Sequence, residues 1–287
     1  MDLIEKLAAS ALALIMGAIV GLATTTTPLH YDDGFVNVAA RTVNTTQESY
    51  GPDPLQVVTL RRPAGATGKT VIFLHGGGWN AGGRGSLEAE AAEWAKTGWV
   101  SINVSYRLGV IGGPVDDGKA ILADVATVLN TYRAKPYVDP DKVVVYGESA
   151  GGHLAEWAGS FYGAKVKAFV AISPVSSIAG AITAGEAPGA PDKVASLGSR
   201  AREFFGYSVG TTDSHRYLSR VQHAMIVIST SEWVDPDIHG RVTCTALGEQ
   251  CELLEYPGDL HAGALVDAHT TEIWRATRHW ADLMLAA

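Results

Sequence analysis

The chain predicts an α/β architecture, a mostly parallel sheet flanked by helices. Two observations carry that expectation. Short apolar runs at 70–75, 99–106, 142–146, 168–172, 224–229 and 252–256 alternate with helix-compatible segments at 87–97, 118–135, 153–162 and 271–285. Parallel strands joined by right-handed helical crossovers produce that alternation. Composition agrees: 47% of the 287 residues are hydrophobic, 18% are charged and 32 are glycine, which suits a buried sheet with tight turns better than disorder. A single α/β domain reaches this length, so no second domain is required.

The elements follow in order. Residues 7–23 carry no charge, as the core of a signal peptide or a short membrane anchor does. The flank holds Asp2, Glu5 and Lys6 rather than a basic cluster, so an apolar helix packed on the body is the competing reading. The expected division is therefore 1–23 signal peptide, anchor or N-terminal helix, 24–49 a Thr-rich spacer, and 50–287 the folded body. A secreted, periplasmic or membrane-anchored protein follows from the first reading, a cytoplasmic one from the second. Membrane contact is expected only if the apolar segment is retained.

Within the body, 56–62 alternates like an exposed strand. The run at 70–75 feeds a glycine-rich loop, and helix, strand, helix and strand follow to 146. The stretch 173–221 breaks the rhythm with Gly, Ala, Pro and Ser, and it reads as a partly helical, lid-like excursion over a binding mouth. In the last helix Ile273, Trp274, Thr277, Trp280 and Leu283 recur near helical spacing.

Chemistry concentrates where two apolar runs end. Val143-Val144-Val145-Tyr146-Gly147-Glu148-Ser149-Ala150-Gly151-Gly152-His153 is a strand, a serine between glycines, and a helix start. This is the G-x-S-x-G elbow, which projects a serine Oγ above a sheet edge. Upstream, Val71-Ile72-Phe73-Leu74-His75-Gly76-Gly77-Gly78-Trp79 ends a second strand in three glycines. Their N–H groups are free to point at a developing alkoxide. A phosphate loop would need Lys-Ser/Thr after the glycines and a dinucleotide site G-x-G-x-x-G; neither is present.

On these motifs the chain resembles the α/β-hydrolase superfamily, on its HGGG(W)/GxSAGG esterase/lipase branch. That branch includes hormone-sensitive-lipase-like carboxylesterases and arylformamidase- and feruloyl-esterase-like members. The likeness runs from Tyr50-Gly51-Pro52-Asp53 to the C-terminus and includes Tyr106-Arg107-Leu108 and Asp139-Pro140-Asp141-Lys142. In this fold the catalytic order is serine, acid, histidine. His261 follows the last strand in a Pro-Gly turn and is the expected base for Ser149. Glu232, Asp235 and Asp237 follow the strand at 224–229; Asp235-Pro236 resembles the family's acid loop, so Asp235 is the expected acid and Glu232 the reserve. Gly77, Gly78 and Ala150 are the expected oxyanion donors, with a further N–H from Trp79 in arylformamidase-like relatives. Trp79, Tyr106 and Trp233 are candidate substrate-pocket residues, and Asp124 a structural partner beneath Tyr106-Arg107.

The resemblance implies a carboxylic ester hydrolase for short or medium acyl chains. An arylformamidase-like amide or formamide hydrolase is the alternative, and a non-catalytic binding member a remote third. No cofactor and no metal are expected, and the partner is a small-molecule ester. A net charge of −8 without a basic cluster points away from nucleic acid. Cys244 and Cys251 are equally compatible with a disulfide and with two buried thiols.

Overall fold

The computed structural model describes residues 41–113, 117–206 and 208–286. The expectations for 1–23, and for the spacer as far as residue 40, lie outside the described residues. Among the described residues eight strands form one sheet in the order β1-β2-β4-β3-β5-β6-β7-β8. They are β1 Val43–Ser49, β2 Val57–Pro63, β3 Thr70–Leu74, β4 Val100–Ser105, β5 Val143–Glu148, β6 Ala168–Ile172, β7 Ala224–Ser229 and β8 Cys251–Tyr256. From β4 to β8 every neighbouring pair is parallel, whereas β1 and β2 join antiparallel at one side.

Two expectations are corrected here. The body begins before residue 50, because Val43–Ser49 pairs with β2 along its whole length. Its sequence, VNTTQES, is polar because it is an edge strand, so no apolar signal marked it. Residues 56–62 are not an exposed strand. Bonded on both sides, β2 buries Val58, Thr59, Leu60 and Arg61.

The central strands are apolar throughout because both faces of the sheet are covered. Successive side chains point to opposite faces. In β3, Ile72 and Leu74 join the core beneath α2 (Asp117–Arg133) and α3 (Ala150–Phe161). Val71 and Phe73 join the core beneath α1 (Glu88–Lys96) and, later in the chain, α9 (Thr270–Ala286). Phe73 packs there against Trp94 and Tyr146, and Trp99 packs against Trp94, with ring centroids 4.9–6.3 Å apart.

The excursion between β6 and β7 is helical: α4 (Ile178–Gly185), α5 (Asp192–Phe205), α6 (Val209–Thr212) and a 3-10 turn, Ser214–Arg220. Helices α4 and α5 cross at Gly185 and Gly198, so closely that a Cβ on Gly185 would lie 2.7 Å from the Gly198 Cα. The end of α5 is anchored. Phe204 and Phe205 are fully buried, and the Phe205 ring meets Trp79 at 5.1 Å and His153 at 5.3 Å. This insertion is therefore docked on the body through a shared core.

Beyond β7, α7 (Gly240–Leu247) leads to β8, then α8 (Gly263–Ala268) and α9. Cys244 in α7 and Cys251 at the start of β8 are joined by a disulfide, with Cα atoms 5.2 Å apart. Among the described residues no helix is long and apolar enough to cross a membrane.

Candidate active site

The site lies where β3, β5, β7 and β8 end. Ser149 occupies the turn between β5 and α3 with φ 53° and ψ −116°, a backbone state that costs a non-glycine residue about 1–3 kcal/mol. Its neighbours explain how the turn is tolerated. A Cβ on Gly147 would stand 2.0 Å from the Gly151 carbonyl oxygen, and one on Gly151 would stand 2.0 Å from that of Leu74. Only hydrogen fits at both positions. Ser149 N–H donates to the Ile172 oxygen at 2.8 Å, and His153 N–H to the Ser149 oxygen at 3.1 Å, fixing the turn against β6 and α3.

His261 Nε2 lies 2.9 Å from Ser149 Oγ, and its Nδ1 lies 2.5 Å from Glu232 Oε2. The acid expectation is thereby corrected: Glu232, not Asp235, reaches the imidazole. Glu232 is 4% exposed, and its Oε1 accepts the Ser229 N–H at 3.3 Å. Asp235 is exposed and accepts the Asp237 N–H at 2.9 Å, closing its own turn. Glu232 comes three residues after β7 ends and folds back under the loop. By Asp235 the chain has already turned into the loop leading to α7.

Two serines hold the base loop and were missed in the sequence. Ser229, the last residue of β7, donates its Oγ–H to the Leu260 oxygen at 2.6 Å. Ser173, directly after β6, accepts the Ala262 N–H on its Oγ at 2.9 Å. Ala262 has φ 49° and ψ −119°, nearly the conformation of Ser149. The only available signal was a small polar residue at the carboxyl end of an otherwise apolar strand.

The glycine loop passes alongside the serine: a Cβ on Gly76 would be 3.3 Å from Ser149 Cβ. Gly77 (φ 113°) and Gly78 (φ 57°) adopt backbone states that favour glycine. The Gly77 oxygen accepts from Asn80 N–H at 3.3 Å and Ala81 N–H at 3.1 Å. Among the described residues the N–H groups of Gly77 and Gly78 make no backbone hydrogen bond. Ala150 opens α3, where N–H groups lack helical partners and the helix dipole is positive.

Two pocket expectations are corrected. Trp79 is wholly buried, and its Nε1–H donates to His153 Nδ1 at 3.2 Å. Its ring is not a pocket wall, and its indole N–H is already engaged. Tyr106 is 1% exposed, stacks on His75 at 4.2 Å and donates its hydroxyl to the His75 oxygen at 2.7 Å. Trp233, by contrast, packs on the His261 ring at 4.7 Å. It also lines a cavity of about 310 Å³ with Glu232, Ala181, Val194, Leu197 and Ile238, between the acid loop and α4–α5.

Other polar groups around the site are structural. Asp124 is fully buried and accepts from Arg107 N–H, Nε–H and Nη2–H and from Gln56 Nε2–H. The Trp157 Nε1–H donates to the Thr211 oxygen beneath the insertion, and its ring stacks on Phe161. Burial pushes His75 and His153 down to about 4 and His239 to about 3, so all three are neutral at pH 7. Glu148, next to the serine, is pushed up to about 8 by burial and by the carboxylates of Glu90 and Asp267.

Comparison with known proteins bears on the fold and on the segment that carries Ser149. The BD-FAE family matches residues 58–177, the segment from β2 through the elbow to the start of the insertion. A probable isoprenylcysteine alpha-carbonyl methylesterase of Oryza sativa is 31% identical over 111 residues, 37% of this chain and 25% of that protein. Secreted lipase 5 of Gibberella zeae is 29% identical over 99 residues, 30% of this chain and 18% of that protein. The match thus spans a quarter or less of these curated relatives' length. Among solved structures, an inhibited esterase B from Lactobacillus rhamnosis superposes with TM-score 0.69 at 19% identity, covering 84% of this chain and 87% of that one. Butyrate-bound esterase 2 of Thermogutta terrifontis superposes with TM-score 0.65 at 21% identity, covering 87% and 95%. In fold and strand order the chain is similar to these solved esterases, and its segment 58–177 is similar to the BD-FAE family.

Proposed function

We propose that this protein is a serine hydrolase that cleaves carboxylic esters of short or medium acyl chains through an acyl-enzyme. The observation that carries the reading is the continuous chain from Ser149 Oγ through His261 to the buried Glu232 carboxylate. A serine hydroxyl is a weak nucleophile until a held base takes its proton. In this reading His261 Nε2 accepts that proton as Ser149 Oγ attacks the acyl carbonyl. Glu232 keeps the other ring nitrogen protonated and stabilises the imidazolium.

Negative charge on the carbonyl oxygen meets the N–H groups of Gly77, Gly78 and Ala150, aimed before the reaction begins. Collapse expels the alcohol with the proton from Nε2. Water then repeats the sequence on the Ser149 ester and releases the acid. The cavity beside Trp233 supports small substrates, because its volume suits a short chain or ring and its insertion side is apolar. The Cys244–Cys251 bond supports a place in an oxidising compartment, exported or anchored.

The test is hydrolysis of p-nitrophenyl esters from acetate to laurate by wild type and Ser149→Ala. Turnover falling from butyrate to laurate is expected, with kcat lowered about 10⁴–10⁶-fold in the variant. Undiminished turnover in Ser149→Ala defeats the reading.

A further inference from the structure

Helix α5 brings a second charged group to the glycine loop. The Arg200 guanidinium lies over Gly78: a Cβ there would stand 2.8 Å from Arg200 Cζ, 3.0 Å from Nε and 3.2 Å from Nη1. Gly76 touches the serine, and two residues of chain span at most about 7 Å, so Arg200 and the serine flank the same short stretch of the glycine loop. The arginine is half-buried, and its Nε is shut from solvent with no hydrogen-bond partner among the described residues.

Its neighbours on α5 are satisfied. Arg202 pairs with Glu186, and Glu203 accepts the Gly112 N–H. No carboxylate among the described residues bonds Arg200, and burial alone lowers its pKa. The position is held firmly, since Leu197, Ala201, Phe204 and Phe205 on the same helix are buried in the core.

A cation partly stripped of water and left unpaired is unfavourable until an anion joins it. The transient oxyanion already has three backbone donors. The vacancy is for a permanent charge, and the planar guanidinium fork suits a carboxylate. We propose that Arg200 selects substrates bearing a carboxylate a few bonds from the scissile carbonyl, such as half-esters of short dicarboxylic acids. This rests on the ester-cleaving reading above. The chain of such a substrate would run from Ser149 past Gly78, with its alcohol portion toward the cavity beside Trp233.

The experiment compares monoethyl succinate with ethyl butyrate, matched in length and differing in charge, by acid release in a pH-stat. Wild type is expected to favour monoethyl succinate in kcat/KM. Arg200→Gln is expected to lower the ratio of the two substrates about ten-fold or more, chiefly through KM of the anionic ester, with Arg200→Lys in between. Succinate should inhibit wild type competitively and Arg200→Gln at least ten-fold more weakly. Melting curves of both variants identify any that fail to fold, and the succinate series on the remaining one still decides. A ratio unchanged in a folded variant, or an equal fall for both esters, overturns the proposal. Both esters left intact by wild type defeats the ester-cleaving reading itself.

Discussion

The elbow after β5 and the loop after β7 meet in one hydrogen-bonded chain through His261, yet they are built differently. In the elbow the main constraints are steric, from the turn itself and from the end of β3 beside it. Gly147 and Gly151 are required because carbonyl oxygens stand 2.0 Å from where their Cβ atoms would lie, and the serine's conformation follows from that crowding. In the acid loop each carboxylate has one local partner, the Ser229 N–H for Glu232 and the Asp237 N–H for Asp235, so neither local bond names the acid. The choice is made by His261, which arrives 29 residues later from β8 and meets Glu232. Crowding writes a motif, whereas a long-range hydrogen bond leaves only a residue type.

The largest effect that can break this contrast is on turnover. Glu232→Gln should lower kcat about 10³–10⁴-fold on p-nitrophenyl butyrate, because the amide no longer fixes the tautomer or stabilises the imidazolium. Asp235→Asn should stay within about three-fold, since its carboxylate serves only its own turn. The reverse result would move the acid back to Asp235 and would require the loop to rearrange.

A smaller effect sharpens the steric half. Gly151→Ala forces a methyl group onto the Leu74 carbonyl, so urea unfolding should show a loss of about 3 kcal/mol or more. A loss under about 1 kcal/mol would mean that the elbow relaxes and that its glycines are not dictated by contact.

A further effect concerns Glu148 and appears in stability against pH. Its folded pKa, about 8, exceeds the value near 4.5 of an unfolded glutamate. Between those values the native state holds a proton that the unfolded chain has lost, so this contribution is full below pH 4.5 and is lost as pH rises through 8. Glu148→Gln, which cannot ionise, should gain stability relative to wild type steadily over that window. A difference between the two proteins that is independent of pH in thermal melts would remove Glu148 as a titrating group. The histidines His75, His153 and His239 act oppositely: lowered to about 3–4, they favour the native state above pH 6.5 and oppose it as pH falls.

The same contrast explains what was legible beforehand. The parallel strands were apolar on both faces and stood out, as did the serine, its glycines and the histidine turn. Strand β1 was hidden, because an edge strand of Thr, Gln and Glu has no apolar signature. Strand β2 misled, because Arg61 lies buried in a continuous sheet and pairs with Glu88. Trp79 and Tyr106 stand beside motif residues, but their rings turn inward to His153 and His75, contacts visible only once the chain has folded. Ser173, Ser229 and Arg200 come from elements far apart in sequence, and no local pattern singles them out.

The bridge between Cys244 and Cys251 has a consequence for the histidine. Among the described residues strand β8 ends the sheet, with a neighbour on one side only, and His261 follows its far end. Riveting the first residue of that strand to α7 prevents it from peeling away or slipping along β7. In a thiol-rich solution the rivet opens, and the imidazole then depends on the grip of Ser229 and Ser173 to stay over the serine.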